Sequence, residues 1–457
     1  MLTESIRSEL TAIVGAQGIQ SHREDILSYA YDAYVEESEP DAVLFPQTSQ
    51  TVSDILAVAH REKIPVTARG AGTSLSGGAI PARKGLVLSF TKMNQILRIN
   101  TRDRYVIVQP GVVNADLQAA LAPCGFFYPP DPASFTVSTI GGNVAENAGG
   151  PRCLKYGVTA DFVLGMEVVL ANGKIMRFGS TNVKDVSGYN LTSLFCGSEG
   201  TLGLVTEITL RVMPLPETYR TILAIYSDLD QAANTVADII GSGILPAALE
   251  LMDKTTINVV EDANRLGLPR QAAAMLLIEV DGIEEAVERE MNKIVEKARS
   301  NGATEVNQAR TPAERDNLWK GRRSVYSAFA RLGPSVVVED ATVPVSNVPK
   351  MVRGIREIAE KHRIQIGILA HAGDGNMHPV ISTDIRNQDE WRRVEAATRE
   401  IFELAVSLEG TLSGEHGIGL AKAKFLPLVR NDATREVMAA IKTVLDPHGI
   451  LNPGKFI

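Results

Sequence analysis

Two histidines flank one short turn in the second half of the chain, in the segment His371-Ala-Gly-Asp-Gly-Asn-Met-His378. The runs on either side, IQIGILA and PVIST, have strand character, and Asp-Gly-Asn between them is typical of a tight turn. Strands joined in this way bring His371 and His378 alongside each other at the end of a hairpin. Because the chain has only seven histidines, this segment is a candidate for metal or ligand binding.

A second group of chemically versatile residues lies in Ser413-Gly-Glu415-His416-Gly-Ile-Gly419. An adjacent Glu and His between glycines predicts a tight loop. Two imidazoles and one carboxylate, with one coordination position open, make up a common catalytic metal site. We therefore predict a divalent metal, with Zn²⁺ favoured and Mn²⁺ or Fe²⁺ also compatible, bound by His371, His378 and Glu415. In the alternative interpretation the histidines hydrogen-bond a substrate or cofactor, and Glu415 orients them.

Glycine-rich segments characterise the first half of the chain. Residues 69–80 read RGAGTSLSGGAI, in which six of twelve positions are Gly or Ala. Small residues in succession let backbone N–H groups approach an anion closely, and a pyrophosphate fits this chemistry. The segment lacks the Rossmann spacing and the GK[ST] of a Walker loop, and alone it is equally consistent with a plain turn. Further stretches rich in Gly, Asn and Thr indicate a backbone wrapped around a ligand as long as a dinucleotide; they begin at Gln109, Tyr128, Ser138 and Gly197.

Length and charge limit the number of domains and the kinds of partner that we expect. A chain of 457 residues predicts two domains. Its net charge of −8 argues against nucleic acid or anionic lipid as the main partner. The start, MLTESIRSEL, lacks the apolar core of a secretory signal, and no apolar run approaches ~18 residues. We expect a cytoplasmic protein without a transmembrane segment, peripheral to the inner membrane only through a partner.

The three cysteines, Cys124, Cys153 and Cys196, are scattered along the chain. They suggest neither a disulfide framework nor a CxxC metal site, and we expect all three to be small buried side chains. An iron–sulfur cluster usually needs four thiolates. If the chain does redox chemistry, its electrons therefore leave through something other than a cluster of its own.

The elements that position these groups fall into two regions, separated near Pro214 and Pro216. In the first region, short strands are separated by turns rich in Gly, Pro and Asn, and two helices have the 3.6-residue apolar period. The predicted strands are Ile64–Ala68, Leu86–Phe90, Tyr105–Gln109 and Phe162–Leu170, and the predicted helices lie around Ser53–Lys63 and Asn114–Ala122.

Two similar β-α-β units follow, and in tandem they predict a ferredoxin-like antiparallel sheet with helices on one face. Helices near Pro349–Lys361 and Glu390–Leu408 flank the hairpin of the two histidines. We predict an α+β fold with domains at residues 1–215 and 216–410 and a C-terminal segment, 411–457, that completes the site. The two units are Thr221–Ser227, Asp230–Ser242 and Pro246–Met252, then Ala274–Asp281, Ile283–Asn301 and Ala303–Gln308.

Taken together, these motifs resemble the FAD-binding flavoproteins of the PCMH type (vanillyl-alcohol-oxidase-like). Within them the chain is similar to the branch of D-lactate dehydrogenase, the glycolate oxidase FAD subunit and D-2-hydroxyglutarate dehydrogenase. The resemblance covers residues from about 40 to 457. It implies a two-subdomain FAD-binding domain, a ferredoxin-like cap that holds the substrate, and a C-terminal return to the flavin domain.

The resemblance also implies the residues that contact FAD. Covalently flavinylated relatives often carry a His in the pyrophosphate loop, where this chain has Thr73, so we expect non-covalent FAD. The implied pyrophosphate cradle is Gly70, Ala71, Gly72, Thr73 and Ser74; the ribityl and flavin path is Pro130, Asp131, Ser134, Gly141, Gly142, Asn143, Ala145, Gly149 and Gly150; the adenosine end is Glu199, Gly203 and Val205; and Asn452 lies near the isoalloxazine. The alternative for Asn452 is a plain C-terminal turn.

The implied reaction is oxidation of a small D-2-hydroxy acid at its α-carbon. Hydride removal requires that the hydroxyl proton also leave, and an imidazole is a suitable base near neutral pH. The resemblance assigns this to His416, with a backbone-satisfied structural histidine as the alternative. It assigns the substrate carboxylate to Arg322, which a bidentate guanidinium would suit, although Arg322 and Arg323 can each also be surface charges. Relatives that bind a distal carboxylate place a Lys where this chain has Val338, which favours D-lactate or glycolate.

Three rival functions remain at this stage: a non-redox flavin-dependent transferase of the same fold, a non-catalytic FAD-binding subunit, and a sugar or polyol oxidase. In the favoured interpretation electrons pass to an external acceptor, namely a cytochrome, a quinone, an electron-transfer flavoprotein or an iron–sulfur subunit. A homodimer or a multi-subunit complex is compatible with the sequence.

Overall fold

The computed structural model describes residues 2–456, which divide into two compact units. Unit 1 is assembled from three stretches: the N-terminal stretch up to Gly149, Gly157–Leu215, and the C-terminal stretch from Glu415. Unit 2 comprises Gly150–Tyr156 and Pro216–Gly414. The chain thus returns to unit 1 after unit 2 ends at Gly414, in agreement with the expected C-terminal return.

Unit 1 contains eleven strands in the described chain. A four-stranded sheet has the order β1-β2-β4-β3, a five-stranded antiparallel sheet has the order β5-β6-β10-β8-β9, and β11 pairs with β7. The strands are β1 (Ile19–Gln20), β2 (Ala42–Leu44), β3 (Val66–Arg69), β4 (Leu86–Ser89), β5 (Ile96–Asn100), β6 (Tyr105–Val108), β7 (Phe126–Phe127), β8 (Val163–Val169), β9 (Ile175–Gly179), β10 (Leu204–Arg211) and β11 (Met213–Pro214).

The helix Ser49–Glu62 shows how the sequence builds this unit. Thr48 caps it by accepting from the backbone N–H of Thr51, and Val52, Leu56 and Ala59 line one buried stripe. That stripe packs into the core of the four-stranded sheet. The α-helices of unit 1 are Glu4–Val14, Arg23–Ile26, Ser49–Glu62, Asn114–Leu121, Ile140–Glu146, Leu191–Phe195 and Asp432–Leu445.

Unit 2 is built on one large sheet with the strand order β15-β12-β14-β13-β18-β19-β16, with β17 paired to β19. The first four strands are all antiparallel to their neighbours, in the order of a ferredoxin-like fold. This confirms the predicted fold class. The strands are β12 (Thr218–Tyr226), β13 (Ala248–Asp253), β14 (Ala274–Gly282), β15 (Ala303–Gln308), β16 (Ser335–Val338), β17 (Ala341–Thr342), β18 (Ile366–His371) and β19 (Asn376–Thr383).

Helices join the strands of unit 2. Leu229–Gly241 connects β12 to β13, and Glu284–Ser300 connects β14 to β15, as the two β-α-β units predicted. The β18–β19 hairpin then extends the sheet beside β13. The α-helices of unit 2 are Cys153–Tyr156, Leu229–Gly241, Lys254–Asn264, Glu284–Ser300, Pro312–Arg323, Val325–Phe329, Val348–His362 and Gln388–Ser407.

The expectation of three buried cysteines is wrong. All three thiols are free, but only Cys196 is buried, Cys153 is half-buried and Cys124 is exposed. Cys124 ends a short 3₁₀ turn that leads into Gly125 at positive φ, and such a turn lies at the surface. Among residues 2–456, no helix has the length and apolar character needed to cross a bilayer.

Candidate active site

The histidine hairpin of unit 2 forms as the sequence predicts. His371 ends β18, Gly375 takes φ +81° in the turn, and His378 lies in β19. A Cβ at Gly375 would collide with the carbonyl oxygen of Val343, so only glycine fits this turn. The two imidazole centroids lie 5.0 Å apart with perpendicular planes, and both side chains are buried.

Each histidine of the pair is oriented through its Nδ1. His371 Nδ1 lies 2.8 Å from Glu250 Oε1, and His378 Nδ1 lies 3.3 Å from the carbonyl oxygen of Glu339. Bonds of this kind fix the ring and direct Nε2 toward a metal or ligand. The donor chemistry of the pair therefore fits a divalent metal.

Arg322 lies against the same pair, which sequence reasoning anticipated only through the resemblance. It is 4% exposed, its Nε donates to Glu250 Oε2 at 2.5 Å, and its Nη2 lies 3.3 Å from His371 Nδ1. Nε and Nη2 thus have protein partners, whereas Nη1 has no protein acceptor among residues 2–456. Arg323, by contrast, is exposed and lies over the Trp319 ring.

Glu250 and Asp340 are site residues that sequence reasoning missed. Burial raises the pKa of Glu250, but the neighbouring charges of Arg322 and His371 more than offset this, so that its pKa lies below the ordinary value. Asp340 is fully buried, and its Oδ1 lies 3.8 Å from His378 Nδ1. For Glu250 the available signal was an acidic residue flanked by apolar strand residues, as in ALEL; Asp340 lies between two strands and offers no such signal.

The chain leaves unit 2 directly beside this cluster. Ser413 Oγ donates to Asp340 Oδ2 at 2.5 Å, and the Gly414 N–H donates to the Asp340 carbonyl at 3.2 Å. Asn376 also donates to Asp340, at 2.6 Å. The next two residues, Glu415 and His416, belong to unit 1.

In unit 1 the loop of Glu415 to Gly419, here the 415–419 loop, is held by a buried carboxylate. Both oxygens of Glu199 accept backbone hydrogen bonds, from Ile418 at 2.6 Å and from Gly419 at 2.8 Å. A Cβ at Gly417 would overlap Glu146 Oε2, which explains this glycine. Glu199 was predicted as a cofactor contact; its carboxylate bonds to this loop, and a cofactor contact remains a prediction.

The glycine-rich segment lies beneath the same loop. Leu420 N–H donates to the Ser76 carbonyl at 2.8 Å, and Asn452 Nδ2 donates to the carbonyls of Gly78 at 2.9 Å and Glu199 at 2.6 Å. Unit 1 therefore brings together four predicted segments: residues 69–80, 138–149, 197–203 and the C-terminal tail.

Polar atoms without protein partners occur along this path, as a polar ligand would require. The backbone N–H groups of Ala71, Gly72 and Thr73 have no protein acceptor within residues 2–456. In the same described range, buried atoms without a partner include Ser138 Oγ and Asn143 Nδ2. Unsatisfied buried polar groups are costly, and a bound pyrophosphate and flavin would satisfy groups of this kind. The residues present therefore fit FAD.

The other predicted cofactor contacts occupy nearby loops and strands. Asp131 is buried, and the carbonyl of Pro130 accepts from Asn114 at 3.0 Å. Gly150 belongs to unit 2 and Gly149 to unit 1. The remaining predicted contacts are half-exposed or buried in unit 1: Gly70, Ser74, Ser134, Gly141, Gly142, Ala145, Gly203 and Val205.

Glu199 gives unit 1 a pH-dependent stability. Burial raises its pKa from 4.5 to about 7, so the folded protein keeps a proton that the unfolded chain releases near pH 4.5. Stability contributed by this group is therefore lost as pH rises from about 5 to about 7. We expect Glu199→Gln to remove this loss, on the order of 3 kcal/mol.

Urea unfolding of both proteins across this pH range checks that expectation. The unfolding free energy of wild type should fall from about pH 5 to about pH 7 relative to that of Glu199→Gln, because only wild type titrates at this position. A wild type that becomes more stable relative to the variant over this range would contradict the assignment.

Comparison with known proteins places this geometry in a family. Residues 215–456 match the model for FAD linked oxidases, C-terminal domain, and residues 40–179 match an FAD binding domain. Glycolate oxidase subunit GlcD of Bacillus subtilis is 49% identical over 100% of this chain and 97% of its own length. D-lactate dehydrogenase of Archaeoglobus fulgidus is 38% identical over 92% of each chain.

The fold agrees with that of a solved PCMH-type flavoprotein. The p-cresol methylhydroxylase structure superposes with a TM-score of 0.81 at 16% identity, covering 100% of this chain and 97% of the other. At this identity the likeness concerns the fold alone. The resemblance inferred from the motifs is confirmed: the chain belongs to the FAD-linked oxidase family of PCMH-type flavoproteins, and it is an oxidoreductase that binds FAD.

Proposed function

We propose that the chain oxidises a small D-2-hydroxy acid, with D-lactate and glycolate preferred, to the corresponding 2-oxo acid and passes the electrons to an external acceptor. The observation that carries the proposal is the buried pair of His371 and His378, each oriented through Nδ1, with Arg322 beside it. A metal-binding pair next to a guanidinium suits a substrate that carries a hydroxyl and a carboxylate side by side. The names of the two relatives point to the same substrate class.

FAD supplies the acceptor for the hydride when it is bound. The backbone N–H groups of Ala71, Gly72 and Thr73 would hold its pyrophosphate, since they have no acceptor in the described chain. Ser138 and Asn143 would contact the remainder through their buried polar atoms. Orientation by these groups is what the protein contributes to the transfer.

The FAD is expected to be dissociable because Thr73 cannot form a histidyl linkage to the flavin. Acid precipitation of the purified protein should leave the yellow flavin in the supernatant. A pellet that retains the flavin after denaturation would contradict this expectation and point to another attachment residue.

His371, His378 and Glu415 would bind the divalent metal, with Zn²⁺ favoured. Support for the third ligand comes from covalent geometry: consecutive Cα atoms are about 3.8 Å apart, and Glu415 directly follows Gly414, which hydrogen-bonds Asp340 beside His378. A metal there would supply Lewis acidity that lowers the pKa of the substrate hydroxyl.

His416 is proposed as the base that takes the hydroxyl proton. It is a mostly buried imidazole on the 415–419 loop, and its Nε2 lies 4.0 Å from Glu415 Oε1. Glu199 holds the backbone of this loop through two hydrogen bonds. Because these bonds fix the loop, they help to keep His416 in one orientation. Proton transfer requires a base that is positioned in this way.

Arg322 is proposed to bind the substrate carboxylate through Nη1. Charge-assisted hydrogen bonds of this type are among the stronger ones. Val338, at the end of β16, offers no cation for a second carboxylate. We therefore expect a short substrate tail, and we expect 2-hydroxyglutarate to be a poor substrate.

An external acceptor follows from the cysteine content. Three free cysteines at different depths, Cys124, Cys153 and Cys196, do not supply the four thiolates of a cluster. The relative from Bacillus subtilis is named a subunit, so we propose that a partner subunit or a soluble carrier receives the electrons.

Steady-state turnover with an artificial electron-acceptor dye tests the proposal. D-lactate and glycolate should yield 2-oxo acids, L-lactate and 2-hydroxyglutarate should react much more slowly, and chelation should lower the rate. Turnover only with sugars or polyols, or peroxide formation under air at the same rate, would favour the oxidase alternative. Absence of any redox turnover would favour the transferase.

A further inference from the structure

We infer that Glu250 is a positioning residue that sets the tautomer of His371 and holds Arg322, so that metal affinity depends on it. The inference rests on the proposed function, because it takes His371 as a metal ligand. It adds a residue that the sequence motifs do not assign, and it concerns unit 2 alone.

Strand pairing fixes Glu250 opposite His371. β13 and β18 are antiparallel neighbours, and the register pairs these two residues directly. Directly opposed residues in an antiparallel pair have their Cβ atoms about 4.5–5.5 Å apart on one face of the sheet. Since Glu250 is 1% exposed, its carboxylate has little freedom to turn elsewhere.

Both carboxylate oxygens of Glu250 are in use. Oε1 lies 2.8 Å from His371 Nδ1, and Oε2 accepts from Arg322 Nε at 2.5 Å. An ionised carboxylate only accepts hydrogen bonds. The proton of a neutral His371 ring is therefore on Nδ1, and the lone pair is on Nε2, the nitrogen that a metal would bind and that lies 3.5 Å from Arg322 Nη2.

His378 is oriented in a weaker way. Its Nδ1 faces the carbonyl oxygen of Glu339 at 3.3 Å, a neutral acceptor at a longer distance. A carboxylate partner raises the basicity of a histidine ligand more than a carbonyl does. Of the two rings, only that of His371 is oriented by a side chain in these two bonds. Its strength as a metal ligand can therefore be changed by mutating that side chain.

A purely structural role for Glu250 is the competing explanation, because it neutralises a buried guanidinium. Glu279 provides a matched control. It is also a buried glutamate in unit 2, on neighbouring β14, and it binds Arg315 through two bonds of 2.7 Å and Trp319 at 2.9 Å. It lies opposite Ala248, not opposite His371.

The test compares Zn²⁺ affinity of FAD-loaded wild type, Glu250→Gln and Glu279→Gln by competition with a chelator. We expect Glu250→Gln to bind Zn²⁺ about 10- to 100-fold more weakly and Glu279→Gln to bind it like wild type. ¹⁵N NMR of the His371 ring should show Nδ1 protonated in wild type, and this preference should be lost in Glu250→Gln.

Wild-type Zn²⁺ affinity in Glu250→Gln, or an equal loss in Glu279→Gln, would overturn the inference while leaving the proposed function intact. If wild type binds no divalent metal, the metal part of the proposed function fails first and the inference falls with it. If Glu250→Gln does not fold, the double variant Glu250→Gln/Arg322→Met removes both buried charges. That variant should still bind Zn²⁺ more weakly, and wild-type affinity in it would count against Glu250.

Discussion

His416→Ala is expected to slow reduction of the bound flavin by D-lactate or glycolate by about 10²- to 10⁴-fold, the usual contribution of a positioned general base. FAD content should stay at the wild-type level, because Glu199 holds the 415–419 loop through its backbone. Rapid-mixing measurement of flavin bleaching in the absence of oxygen gives the rate directly.

His448→Ala is the matched control for that variant. His448 also lies in the C-terminal part of unit 1, where its ring is 4.5 Å from the ring of His60. Its removal should leave the rate of flavin reduction unchanged. Wild-type bleaching by His416→Ala would exclude it as the base and favour a structural histidine.

His378→Ala is expected to lose the bound metal and to slow flavin reduction by at least about 100-fold, since a Lewis acid typically contributes several kcal/mol at such a site. His378 is 3% exposed in β19, so some loss of stability is also expected. Metal content by elemental analysis and the reduction rate should fall together, and added Zn²⁺ should restore little of either.

His362→Ala controls for the loss of a histidine from unit 2. His362 lies at the end of the helix Val348–His362, where it pairs with Glu400 at 2.9 Å. This variant should keep both metal and rate. If His378→Ala reduced its flavin at the wild-type rate without metal, neither the metal nor His378 would take part in the reaction.

Much of the fold could be predicted because the residue patterns of strands, helices and turns each lie within a short segment of sequence. The alternation of strand and helix from Thr218 to Gln308 yielded the ferredoxin-like order, and the turn at Gly375 yielded the histidine hairpin. The extension of that sheet by β18 could not be predicted in the same way. Glu250 and His371 are separated by 121 residues, and no local period reports such a pairing.

The parts of the site that escaped sequence reasoning are the buried acids. For Glu199, which was predicted as a cofactor contact, the sequence did not indicate the two bonds to the backbone of the 415–419 loop. Glu250 and Asp340 orient groups whose positions depend on strand register. A charged residue within an apolar strand signals a buried partner, but the sequence does not say which partner it is.

The most direct test of the account is single-turnover reduction of the bound flavin by hydroxy acids without oxygen. We predict rapid loss of the visible flavin band on mixing with D-lactate or glycolate, little loss with L-lactate, and a slower reaction after chelation. A flavin that stays oxidised with every 2-hydroxy acid would contradict the central claim that the histidine pair and Arg322 serve hydroxy-acid oxidation.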